Sequence, residues 1–222
     1  MSTRTWRFAA STLLCLSLIL LAACYPLALA LPSWWSHENQ PIENAQVILI
    51  GLGFAASLLF FRKASDPGRW FGLAAAPVLL VLIGRELSWG AVFFDPTSIG
   101  DHGPLFASRY LWYKPAVAPA VAALILTTIA IIVVKRLSFV GIDLLKQRRV
   151  PIFSMLFTAI GMLISTASEG HLPPVPISEW VDGHVAQLLE ELSELCAYLA
   201  MIAGLFFIFS DLSAQESGGN ES

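Results

Sequence analysis

Charge is scarce in this chain. Of 222 residues only 13% are Asp, Glu, Lys or Arg, against 56% hydrophobic, and the mean hydropathy is +0.70. Soluble domains carry roughly 25% charged residues to keep a polar skin, so a soluble globule is excluded. A net charge of −3 leaves no basic face, which excludes a nucleic-acid partner. Cysteine is also rare: Cys15, Cys24 and Cys196 all sit in apolar stretches. They form no disulfide framework and no zinc-knuckle spacing, and read as small hydrophobes. There is no His–x–x–x–His or Glu–x–x–His spacing, no fixed-period repeat and no second domain.

What the chain has in abundance is apolar length. Six runs, near 8–31, 44–61, 70–93, 115–134, 150–168 and 186–210, each suffice to cross a bilayer, which takes about 20 residues. The expected architecture is an all-α polytopic membrane protein, a six-transmembrane-helix bundle with short loops over residues 1–210. The polar tail "DLSAQESGGNES", residues 211–222, is expected to be disordered.

Basic residues set the expected orientation. With a cytoplasmic N-terminus, that side receives Arg4, Arg7, Arg62, Lys63, Arg69, Lys135, Arg136, Lys146, Arg148 and Arg149, and the opposite side only Arg109 and Lys114. This fits the positive-inside rule and predicts a multi-pass protein of the bacterial inner membrane with both termini cytoplasmic. Trp34, Trp35, Trp112 and Trp180 are then expected in an outer aromatic belt, and Trp6 and Trp70 at the inner interface. "LAAC", residues 21–24, has the form of a lipoprotein processing site at Cys24, but the apolar run continues through "YPLALALP", as an uncleaved span does.

The acids inside the spans are not explained by loop composition. In "HVAQLLEELSELCAYL", residues 184–199, His184, Gln187, Glu190, Glu191, Glu194 and Tyr198 share an arc of about 120° on a helix. Counting about 20 residues back from the inner end near Ser210 places Glu194 below the headgroups. The same count puts Arg85 and Glu86, in "LIGRELSWG", at a similar depth, and "PIENAQ" brings Glu43, Asn44 and Gln46 to that edge. An intramembrane ion costs roughly 2.5–3.5 kcal/mol on insertion scales, so these groups are expected to face one another. Arg85 is then the counter-charge for Glu190 or Glu194, with Glu86 joining the cluster. Because acids outnumber the guanidinium, at least one Glu is expected to hold a proton or share a bound cation. Trp89, four residues after Arg85, is expected on the same helix face, stacking on the guanidinium or walling the cavity. Asp101 and His102, in "SIGDHGP", read as a solvated turn. "RLSFVGIDLLKQRR" reads either as a basic amphipathic piece on the inner leaflet or as a plain loop.

For a metal, the arrangement to test is His184 with Glu191 and Glu194, joined by Glu86. Carboxylates and imidazole around an open position would suit zinc or manganese and activate a water. Intramembrane CAAX-type proteases pair Glu-Glu with later histidines, but here the pair lies in the last span with no histidine after it, which excludes that assignment.

"ENAQ", "RELSWG" and "EELSEL", in that order, resemble a group of small bacterial multi-pass inner-membrane proteins with an acid-and-amide pair, an (R/E)E-x-x-W segment and a paired-acid helix. The resemblance covers about a tenth of the chain. It implies positions rather than a reaction: Glu43, Gln46, Arg85, Glu86, Trp89, Glu190, Glu191 and Glu194. Where the group would carry Gln after "SWG" this chain has Ala91, so a polar contact there is lost. The cytoplasmic half of the spans is almost purely apolar, which suits a one-sided cavity better than a permeation path. The expected function is a metal- or acid/base-dependent hydrolase or transferase acting on lipid head groups, with the bilayer as partner, Glu86, Glu190 and Glu194 as acid/base groups or ligands, Arg85 as counter-charge and Tyr198 among the binding residues. The alternatives are a protein that binds or transports a cation, proton or small polar solute, and an accessory subunit without catalysis.

Overall fold

The structure, a computed structural model, describes residues 2–100, 103–147, 149–172 and 177–219. Among these, seven α-helices follow in order: α1 (Thr3–Ala30), α2 (Pro41–Lys63), α3 (Arg69–Glu86), α4 (Lys114–Val134), α5 (Leu137–Lys146), α6 (Ile152–Ser168) and α7 (Gly183–Gly219). Long uncharged runs become helices because a helix satisfies every backbone polar group within the segment, as an apolar solvent requires. The chain is an α-helical membrane bundle. Four stretches are long and apolar enough to span: Thr3–Ala30, Ser33–Lys63, Lys114–Val134 and Gly183–Gln215. The other two expected spans are shorter helices, α3 with 18 residues and α6 with 17.

Helix α7 is the axis. It packs against α1, α6 and α2, while α3 leans on α2 and α4 on α3. Close packing among membrane helices depends on small side chains, since apolar association gains little against lipid. On α1 the buried stripe is Ala10, Ser17, Cys24 and Ala28, a spacing close to the heptad of a coiled coil. The Ser17 hydroxyl donates to the Cys196 carbonyl at 2.8 Å, and the Cys24 and Cys196 sulfurs lie 3.6 Å apart. Helix α1 runs unbroken through "LAAC", with Cys24 buried. Gly161 of α6 has no room for more than hydrogen, because a Cβ there would sit 2.7 Å from the Ser193 carbonyl oxygen of α7.

Several expectations need correction. The third span does not run to residue 93: α3 stops at Glu86, and 88–93 form a 3-10 segment broken by left-handed residues, Trp89 at φ 56° and Gly90 at φ 94°. Trp6 does not face lipid. It is 3% exposed and packs edge-on against Phe60, Phe206 and Phe209 at the basic end of the bundle. Trp34, Trp112 and Trp180 are exposed, as a belt requires. The tail expected to be disordered continues α7 to Gly219, and residues 220–222 lie outside the described residues. The 137–146 segment is a helix, α5, burying Leu137 and Leu144. Strands β1 (Ser98–Gly100) and β2 (Gly103–Leu105) pair antiparallel, and the expected turn at Asp101 and His102 lies outside the described residues.

Helix direction alternates, so the N-termini of α2 and α7 and the C-termini of α3 and α6 meet at one end, here termed the polar end. The opposite, basic end carries Arg62, Lys63, Lys135, Arg136, Lys146 and Arg149.

Candidate functional site

At the polar end α3 ends on Arg85 and Glu86, and both turn toward α7. Arg85 Nη2 donates to Glu194 Oε1 at 2.7 Å, and the same oxygen accepts from the Ser165 hydroxyl of α6 at 3.1 Å. Arg85 Nε lies 3.8 Å from Glu86 Oε1, which also accepts from the Tyr198 hydroxyl at 2.6 Å. A longer bond, 3.4 Å, runs from Arg85 Nη1 to the Tyr198 oxygen. One guanidinium thus ties two carboxylates, a phenol and a serine from three helices into a single network. Glu86 and Glu194 are buried, whereas the Arg85 side chain is 48% exposed. The cation is the member that still faces outward.

The spacing on α7 builds this array. Glu190, Glu194 and Tyr198 succeed one another every four residues, which is nearly one turn, so their side chains stack along one face about 6 Å apart. Glu191 falls on the neighbouring face toward α2, where Gln46 Nε2 donates to its carbonyl at 3.0 Å and to its Oε2 at 3.1 Å. Gln46 is fully buried, and its Oε1 has no hydrogen-bond partner. Glu43, one turn earlier on α2, accepts from the Asn39 backbone N–H. Gln187 reaches from α7 to the Ser36 carbonyl at 3.0 Å.

Glu190 lies one turn nearer the start of α7 than Glu194, with Glu169 at the end of α6 and Arg85 both near enough to act on its carboxyl. Neighbouring carboxyl groups resist ionising together. Glu169 is bonded in turn to His171 Nδ1 at 3.0 Å. The polar groups therefore form two linked parts, an arginine-centred network and a carboxyl pair one turn nearer the surface.

The expected partnership of Arg85 with Glu194 and Glu86 is seen in this geometry, and Tyr198 joins it. Two other expectations are not met. Trp89 does not share a helix face with Arg85, because α3 has ended. Its ring lies against Gly84, where a Cβ would sit 2.5 Å from it, and its carbonyl accepts from the Tyr113 hydroxyl at 2.9 Å. Ser88, Trp89 and Gly90 all have positive φ, an uncommon and costly state for a bulky residue. The ring's seat on Gly84 and the Tyr113 bond hold it there. Nor does His184 join Glu191, Glu194 and Glu86 around a metal. It begins α7, about 10 Å along the axis from Glu191 and about 15 Å from Glu194. Its Nδ1 is 2.7 Å from Asp182, whose carboxyl is held below the usual carboxylate range first by the His184 backbone N–H and then by its ring. Among the described residues, no group of three or more His, Cys, Asp or Glu side chains comes together as a metal would need.

One participant, Ser165, was not among the expected site residues, and Glu169 was expected only in a loop beside the cluster. The available signal was "STASEG", residues 165–170, a run of small polar residues closing an otherwise apolar helix. Below the network, α3, α5, α6 and α7 enclose a groove of about 670 Å³ with apolar walls that include Val78, Leu79, Ala159 and Met201. Its upper edge on α7, at Ala200, is less than a turn below Tyr198. Compared with protein-family models, with curated proteins and with solved structures, the chain matches none.

Proposed function

We propose that this chain is a multi-pass inner-membrane enzyme, termini in the cytoplasm, whose acidic intramembrane site faces the periplasm and carries out acid/base hydrolysis or transfer on lipid head groups. The observation that carries the reading is the half-exposed Arg85 guanidinium, braced by the two buried carboxylates Glu86 and Glu194, with Glu190 one turn nearer the surface at the same end of the bundle. Arg85, braced by Glu194 and Glu86, binds the phosphate of the head group; guanidinium and phosphate geometries match. Glu190 takes the proton of the attacking water or hydroxyl and returns it to the leaving oxygen, with Glu169 holding the second carboxyl state of the pair. Apolar walls below Tyr198 suit the acyl part of the same molecule. The orientation rests on the basic residues gathered at the opposite end, and the three motif segments, which resemble those of a group of small bacterial multi-pass membrane proteins, support the inner-membrane placement.

A second reading has its own support. Glu86 and Glu194 are both satisfied by donors of this chain, as in an ion-pair lock that only fixes α3 and α6 on α7. Turnover separates the two. Purified protein in vesicles of mixed phospholipids is expected to release or exchange head groups, followed by phosphorus NMR, and Glu86→Gln and Glu194→Gln proteins to insert but turn over poorly. Full turnover in both variants removes these residues from the chemistry, and no turnover in the wild type leaves the lock.

A further inference from the structure

At the basic end, helices α1 and α6 border a cleft against α7 that shares Val150, Pro151 and Ser154 with the lower part of the apolar groove and lies far along the axis from the arginine-centred network. The cleft between them measures about 540 Å³, within the range of about 300–1,000 Å³ common for small-ligand sites. Its mouth carries Arg7 from α1 and Arg149 from the turn before α6, and its walls include Leu14, Val150, Phe153 and Phe207. Arg7 is held from behind by Asp211 of α7, Nη2 to Oδ1 3.1 Å, and remains 65% exposed. Ser154, also in the wall, is buried with a hydroxyl that has no hydrogen-bond partner.

We infer that this cleft binds an anionic phospholipid of the adjacent leaflet, its phosphate between Arg7 and Arg149 and one acyl chain along α1 and α6. The charge count selects the ligand. Two arginines against one carboxylate leave the mouth positive, and the aliphatic interior below suits a chain rather than a soluble anion. Basic pockets between helices at a membrane surface bind anionic head groups, at a gain equal to about fivefold for each arginine. Other basic residues at this end, such as Arg62, lie outside the cleft. A merely basic surface and a built site therefore make different predictions.

The experiment equilibrates detergent-purified protein with vesicles containing equal phosphoglycerol- and phosphoethanolamine-headed lipids, repurifies it and measures retained lipid by mass spectrometry. Wild type is expected to retain the phosphoglycerol lipid about tenfold or more over the supplied ratio. Arg7→Gln and Arg149→Gln each lose about fivefold of that enrichment, Leu14→Trp abolishes it by filling the cleft, and Arg62→Gln keeps it. Asp211→Asn, which removes the competing carboxylate, raises it. No enrichment in the wild type, or equal losses in Arg62→Gln and Arg7→Gln, overturns the inference.

Discussion

Removing the Arg85 guanidinium strands two buried carboxylates, and the cost can be worked from the contacts. Breaking a fully buried ion pair by deleting one partner costs about 3–5 kcal/mol, while exposed pairs are worth about 0–1 kcal/mol. The Arg85–Glu194 pair falls between, with side-chain exposures of 48% and 6%. After Arg85→Ala, Glu194 keeps the Ser165 hydroxyl and Glu86 keeps the Tyr198 hydroxyl, which limits the loss to about 2 kcal/mol. For a chain of this size that lowers the melting temperature by about 4–8 °C. Neutralising the stranded acid should return much of it, so the Arg85→Ala, Glu194→Gln double variant is expected to melt at least half-way back toward wild type. Tryptophan fluorescence during heating in mild detergent, taken around the full double-mutant cycle, gives the coupling directly. Additive losses, or an Arg85→Ala protein as stable as wild type, would refute the reasoning.

Further outcomes follow from the same contacts. Gly84→Val drives a side chain into the Trp89 ring, 2.5 Å from the added Cβ, and should cost about 1–3 kcal/mol with a visible shift in tryptophan emission; an unchanged spectrum and melting point would contradict that seat. Gly161→Leu collides with the Ser193 backbone and should destabilise more than Gly141→Leu, where the surroundings are open, when both are compared by thermal melts. In a cysteine-free background, Ser98→Cys should react with an impermeant maleimide on intact cells and Arg62→Cys only after lysis; the reverse pattern would invert the proposed orientation.

Much of the bundle was legible because the signal for a membrane helix is long and redundant: a run of about 20 apolar residues tolerates local irregularity. Depth counting brought Arg85 and Glu194 together for the same reason, since two helices of known direction share one scale of 1.5 Å per residue. Where hydropathy is uniform it cannot place a break. "SWGAVFF" is as apolar as a span, yet three successive positive-φ residues end the helix before it, and Trp89 turns from a stacking partner of Arg85 into a plug on Gly84. Trp6 failed for a different reason. Its position near an interface was readable, but its burial depends on Phe60, Phe206 and Phe209 arriving from two other helices. His184 shares the angular stripe of Glu191 and Glu194 but not their height, a distinction that a helical projection erases. The bond of Ser165 to Glu194 depends on where α6 docks on α7, which no spacing within either helix states.

The proposed chemistry depends on Glu190, the acid next to the head group that Arg85 is proposed to anchor. Wild-type protein and Glu190→Gln, reconstituted side by side in phospholipid vesicles, should share a melting temperature, and only the wild type should convert head groups. Equal conversion by both proteins would contradict the account.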